Sequence, residues 1–270
     1  MQPRTGHAEH LDGPQAGPQG RSCTLAVSLP AVVRWAAILL RLEVVMASRR
    51  AVLCVGAVAA FGLAANAAAP QAFAATPRAA LERLRVGNEN WVRGRSRHPD
   101  ASLPRRAALV GGQDPFAVVF ACIDSRVAPE LVFDQGLGDL LVVRTAAHTC
   151  DPLVLGSLEY GPAELAARLV VVLGHQHCGA VTAAVRAFHD DDPLPGHLRD
   201  VADSLRPAYR DALKQHPDRD HLVEATTRAQ TLRTAAALRS DPLLRPLLAR
   251  GALEVVAGHY ALDTGAVSFG

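Results

Sequence analysis

Beyond residue 114 the chain alternates between two hydrophobic patterns. Pro115 to Ala121, Leu140 to Thr145, Ala167 to Leu173 and Leu253 to Ala257 are short, nearly continuous apolar runs rich in branched residues. They read as strands covered on both faces, because a half-exposed strand would alternate apolar and polar positions. Between them the apolar spacing becomes helical. From Thr76 an amphipathic helix is marked by Leu81, Leu84 and Trp91, and Ser96 to Gln113 reads as a connector with a short helical piece. Asp151-Pro152 is an N-cap followed by proline at the first helical position, opening a helix through Tyr160. Gly179 to His189 forms another, stopped by Asp190-Asp191-Asp192-Pro193, an acidic triplet that reads as a solvated loop. His221 to Arg239 is a long helix, and Asp241-Pro242 starts one more that Gly251 ends. Strands alternating with helices predict an α/β fold with a mainly parallel sheet flanked by α-helices.

The first 74 residues follow neither pattern. Met1 to Leu29 is largely polar, and the apolar stretch Pro30 to Val45 is interrupted by Arg34, Arg41 and Glu43, too short and too charged for a membrane span. Residues 1–45 therefore read as an upstream or disordered extension. At Met46 the chain restarts with Ser48-Arg49-Arg50, the apolar run Ala51 to Ala69 and the small-x-small triplet Ala72-Phe73-Ala74, the layout of a signal peptide over 46–74. The paired arginines resemble a twin-arginine export signal. Export is the expectation, an uncleaved membrane anchor the alternative, and a lipoprotein anchor at Cys54 fits less well because that cysteine opens the apolar run. The working domain is then 75–270, with no stable membrane span of its own.

Charge removes one class of partner. With 49% hydrophobic residues and a net charge of +2 over 270 residues, the chain lacks the basic field that nucleic-acid binding requires. Its five cysteines are an odd number and do not form a disulfide framework. Cys23 and Cys54 precede the domain, leaving Cys122, Cys150 and Cys178.

Two of these three sit where strands end. Cys122-Ile123-Asp124-Ser125-Arg126 and Gly174-His175-Gln176-His177-Cys178-Gly179 follow apolar runs, and in open parallel sheets ligands bind beyond the carboxyl ends of strands. Zinc prefers cysteine sulfur and histidine nitrogen, and a catalytic site keeps three protein ligands with the fourth position open. Cys122, His175 and Cys178 supply that set. Two thiolates offset the ion's charge and leave a bound water less acidic than three histidines would, so neighbours must help. Asp124 is placed to accept a hydrogen bond from such a water, and Arg126 to hold the carboxylate in a charge-assisted pair. The plainer alternatives are a Cys122–Cys178 disulfide or a closed zinc site in a non-catalytic binding module.

Cys-x-Asp-Ser-Arg with Gly-His-x-x-Cys-Gly resembles the β-class carbonic anhydrases. Phe133-Asp134-Gln135-Gly136-Leu137-Gly138-Asp139, Val142-Val143-Arg144-Thr145-Ala146, Gly156-Ser157-Leu158-Glu159-Tyr160, Val172-Leu173-Gly174-His175 and Gly258-His259-Tyr260-Ala261-Leu262-Asp263-Thr264-Gly265 follow in the family's order, so the resemblance spans Thr76 to Val267. It implies one Zn2+ per chain and reversible hydration of CO2 to bicarbonate, with zinc-bound hydroxide as nucleophile and Asp124 and Arg126 as the orienting dyad. It also implies a closed state in which Asp124 itself takes the fourth zinc position. Gln135 matches the substrate-facing glutamine that usually comes from the partner of a homodimer or higher oligomer, and Gly179 stands where a backbone amide would meet substrate. In the family the N-terminal helix reaches a neighbouring subunit; packing within the chain is the alternative. Hydrolysis of carbon disulfide or carbonyl sulfide on the same scaffold is the alternative activity.

One departure and three leftover side chains need outcomes. Ala147 stands where the family more often has glycine, and would be strained if that residue needs positive φ. His148 and His177 are candidate proton relays, or simply partly exposed histidines. Cys150 has no implied role and is expected to be a small buried hydrophobe.

Overall fold

The computed structural model describes residues 76–215 and 219–270; the extension expected over 1–45 and the signal expected over 46–74 lie outside the described residues. The four apolar runs form β1 (Ala117–Cys122), β2 (Leu140–Thr145), β3 (Leu169–His175) and β4 (Glu254–Tyr260), all parallel. A three-residue strand, β5 (Val267–Phe269), which the apolar pattern did not reveal, pairs antiparallel with β4 at the edge. Strand order is β2-β1-β3-β4-β5. The chain leaves β1 towards one side for β2 and recrosses for β3, so the switch point of the sheet lies between β1 and β3, where a crevice opens beyond their carboxyl ends. Cys122 ends one of these strands and His175 the other.

Burial follows strand alternation. Ala117, Val119, Ala121, Val171 and Leu173 face one layer, packed under Ala80 and Leu84 of α1 (Pro77–Val92) and beside Val127, Val132 and Phe133. Val118, Phe120, Val170, Val172 and Ala257 face the other, against Leu158, Ala235, Leu238 and Leu244. Every residue of β1 and β3 is buried, which is why those runs carry no polar alternation. A third cluster, around Val181, Ala184, Leu205 and Leu222, closes over the carboxyl ends and includes Cys122, Ala147 and Cys178.

α1 is capped by Thr76, whose hydroxyl accepts from Ala79 N at 3.2 Å, and it lies on its own chain's sheet. Asn88 fixes it there, donating to Val132 O and Gly265 O and accepting from Val267 N. The short α2 (Leu103–Ala108) lies in the expected connector and α3 (Pro129–Val132) follows β1. α4 (Pro152–Glu164) opens at the Asp151 cap as expected but passes Tyr160, because Gly161 and Pro162 are themselves buried against the sheet. α5 (Gly179–His189) ends at the acidic triplet, whose three residues are exposed.

α6 (Leu198–Gln215) was not anticipated: Pro207 interrupts its sequence, and it shares one apolar stripe with α5 and α7 (Arg219–Ser240). Asp241-Pro242 does not begin a helix directly. The Asp241 carboxylate accepts from Leu243 N and Leu244 N, making a turn that precedes α8 (Arg245–Ala249). Among the described residues no helix is long and apolar enough to cross a membrane.

Candidate metal centre

Backbone geometry brings the two motifs together at the switch point. Cys122 is the last residue of β1, His175 the last of β3, and Cys178 the N-cap of α5. Their donor atoms all lie within 4.8 Å of one another, and all three side chains are buried. The two Sγ atoms are 3.9 Å apart and both cysteines are free, which removes the disulfide alternative. Two sulfurs on one tetrahedral zinc at 2.3 Å would sit about 3.8 Å apart. His175 Nδ1 lies 2.9 Å from Gln176 O, so it carries the ring proton and leaves Nε2 as a bare lone pair; that buried Nε2 has no hydrogen-bond partner among the described residues. A lone pair aimed beside two sulfurs at tetrahedral spacing fits a metal ion.

Electrostatics prepare the sulfurs unequally. The Cys122 thiol is held well below the ordinary thiol range, chiefly by the hydrogen bond from Cys178, with His175 and the Asp124 and Ala147 amides adding to it against burial. Cys178 is pushed up by sharing its proton with Cys122 and by burial, although the Val181 and Ala180 amides at the start of α5 oppose this. A dication bound there would draw the remaining proton from the pair, because a cysteine binds metal as its thiolate.

Asp124 and Arg126 form the pair expected from their spacing. Arg126 Nε donates to Oδ1 at 2.9 Å and Nη2 to Oδ2 at 2.7 Å, while the Arg126 amide also donates to Oδ1. The Arg126 guanidinium therefore holds the Asp124 carboxyl down to about 2. Asp124 Oδ2 remains 4.0 Å from His175 Nε2, next to the three donors yet outside their set. The same guanidinium donates to His177 O, so it also joins the two motifs.

Other residues fall differently. Gln135 is buried; Nε2 donates to Phe133 O at 2.6 Å, and Oε1 has no partner. Within its own chain it meets Phe133 and Gly87 instead of the cluster. Gly179 is exposed at the start of α5, with open space where a Cβ would be. His177 is exposed, as anticipated. His148, in contrast, is fully buried, and burial holds it down to about 3, so it stays neutral and takes up no second proton near neutral pH. Cys150 is exposed, not buried, because it precedes the Asp151 cap at the surface.

Ala147 does adopt positive φ, at 50°, and His148 follows at 44°. Left-handed backbone costs a non-glycine residue about 1–2 kcal/mol. The strained turn points Ala147 N at Cys122 Sγ, 3.3 Å away.

Two contributors had no role in the sequence reading. Arg144, a charge inside the apolar β2 run, donates to Cys122 O at 2.9 Å and Asp124 O at 2.6 Å, and so fixes the loop that carries ligand and dyad. That misplaced charge was the available signal. Thr231, on α7, reaches the centre through His148, and nothing in its local sequence marks it.

Comparison with known proteins bears on the same residues. A family profile described as carbonic anhydrase matches residues 117–267. Carbonic anhydrase 2 of Mycobacterium tuberculosis is 43% identical over 194 residues, covering 70% of this chain and 90% of that protein. The carbonic anhydrase of Mycolicibacterium smegmatis is 41% identical over 191 residues, covering 71% and 92%. Among solved structures, the β-carbonic anhydrase CcaA superposes with a TM-score of 0.57 at 25% identity, covering 70% of this chain and 94% of that one.

Proposed function

The chain belongs to the β-class carbonic anhydrases, and from that premise we propose that the cluster at the β1–β3 switch point holds zinc through Cys122, His175 and Cys178 and hydrates CO2 reversibly to bicarbonate. Zinc, when bound, supplies the Lewis acidity that turns water into a nucleophile near neutral pH. The protein's own contribution is orientation. Asp124 stays ionised through the working pH range because Arg126 engages both its oxygens. It can then accept a proton in a hydrogen bond without taking it, and so aim the nucleophile at a carbon beside the donors. While Arg126 holds it, the carboxylate is kept from the ion's fourth position.

The observation that carries this reading is the two-point Asp124–Arg126 pair set 4.0 Å from the bare His175 Nε2. A merely structural zinc site would bring a fourth cysteine or histidine into the cluster. Stopped-flow CO2 hydration by Asp124→Ala tests it. Turnover should fall at least about 100-fold, the scale of an acid–base or orienting group, with zinc still bound at one ion per chain. Unchanged turnover would remove Asp124 from the mechanism.

The reading extends to assembly and location. Gln135, whose buried Oε1 lacks a partner, is proposed to serve the site of a partner subunit, where a neutral amide can hold a CO2 or bicarbonate oxygen. Ser48-Arg49-Arg50 ahead of an apolar run supports export by the twin-arginine route, which carries folded proteins and so lets the thiolates be metal-bound first.

A further inference from the structure

His148 is a buried polar group that catalysis leaves unused. Its Nδ1 has no partner, its ring stands edge-on to Phe120 with centroids 6.1 Å apart, and its Nε2 lies 3.2 Å from Thr231 Oγ1. The Thr231 hydroxyl donates to Thr227 O at 2.9 Å, one turn back along α7. A hydroxyl has one proton, so Thr231 offers His148 only lone pairs and His148 must donate from Nε2. The imidazole is thus fixed as one neutral tautomer, clamped between α7 and the β1 residue two positions before Cys122.

This clamp sits on two consecutive left-handed residues, neither of them glycine. Such backbone persists only where its surroundings over-determine it. The consequence of the turn is the Ala147 amide aimed at Cys122 Sγ. Gly174 makes the approach possible: a Cβ there would fall on Thr231 Oγ1, so the glycine before His175 is what lets α7 come close enough.

We propose that Thr231 and His148 are positioning residues for the metal centre, locking the Ala147–His148 turn so that the Ala147 amide hydrogen-bonds Cys122 and sets the charge that this sulfur gives to the ion. An amide donor draws electron density from a thiolate, weakening it as a donor and leaving the ion more electrophilic. A site with two thiolates needs that correction, and here it comes from backbone held in a conformation it would not adopt alone. The inference rests on the reading of Cys122 as a metal ligand.

The test uses the full chain loaded with cobalt, whose thiolate-to-metal charge-transfer band reports the sulfur directly. Thr231→Val should move the band to longer wavelength, because the released sulfur is more easily oxidised, and weaken zinc about 10-fold in competition with a chelator, because an unlocked turn no longer holds Cys122 in place and that loss exceeds the gain in sulfur donor strength. Thr231→Ser, which keeps the hydroxyl, should restore both. In an Ala147→Gly background one of the two strained positions is relieved, so the effect of Thr231→Val should shrink at least about threefold, a coupling that general destabilisation would not produce. The glycine background also offers a better-folded host if Val alone unfolds the chain.

An unshifted band in folded Thr231→Val, or an equal loss in both backgrounds, would overturn the positioning role. A parent protein that binds cobalt with no thiolate band would instead overturn Cys122 as ligand, and the inference with it.

Discussion

At the scale of single residues, Arg126 holds the Asp124 carboxyl below the ordinary aspartate value and so makes a pH-dependent contribution to stability. The folded carboxyl titrates at about 2, with hydrogen bonding from Arg126 the largest cause; an unfolded aspartate titrates near 3.9. A depressed folded value means that the pair stabilises the fold above the unfolded value and stops doing so as pH falls through the folded one. Arg126→Ala should therefore be less stable than the parent from about pH 4 upward and converge with it by about pH 2. Urea unfolding across that range measures it, and a constant gap would assign the loss to packing. The guanidinium is half exposed, at 54%, so solvent screening keeps the gap small. The same variant frees the carboxylate to move towards the metal ligands, so hydration near neutral pH should fall further than the stability change accounts for.

At the scale of elements, the sheet was legible because burial on both faces leaves an unbroken apolar run, and β1 and β3 are buried throughout. β5 was not: at three residues with half-exposed ends it has no pattern to read, and pairing with β4 defines it. α6 was hidden by its charge and by Pro207, since its buried Leu205, Tyr209 and Ala212 matter only once α5 and α7 stand beside them. The same division runs through the site. Cys122, His175, Cys178, Asp124 and Arg126 lie in two short motifs and could be named in advance, whereas Arg144 and Thr231 act across 20 and 83 residues of sequence. Asn88 belongs with these long-range ties, joining α1 to the last residue of α3, to the loop before β5 and to the first residue of β5. Asn88→Ala strips partners from three backbone groups and should cost about 2–3 kcal/mol. The denaturation midpoint should fall with an unchanged slope; a loss below about 0.5 kcal/mol would show that water replaces the amide.

At the scale of the molecule, Gln135 lies apart from the site that one chain builds. Ligands, dyad and the clamped turn come from β1, β2, β3, α5 and α7, but Gln135 points its bonded amide at Phe133 within its own chain and leaves Oε1 without a partner. Apolar side chains remain exposed, Ile123 inside the first motif at 60% and Leu153 at the start of α4 at 83%. A homodimer in which each Gln135 faces the other subunit's zinc accounts for both observations and makes a prediction that no single-chain site shares. Asp124→Ala and Gln135→Ala, each weakly active alone, would be unfolded, mixed in equal amounts and refolded. Random pairing in a two-fold dimer puts half the molecules in mixed form, and in each of these one site has both an intact Asp124 and a partner's intact Gln135. The mixture should then recover about a quarter of parental hydration activity. If Gln135 served its own site, each mixed dimer would hold two damaged sites and mixing would recover nothing beyond the average of the two variants.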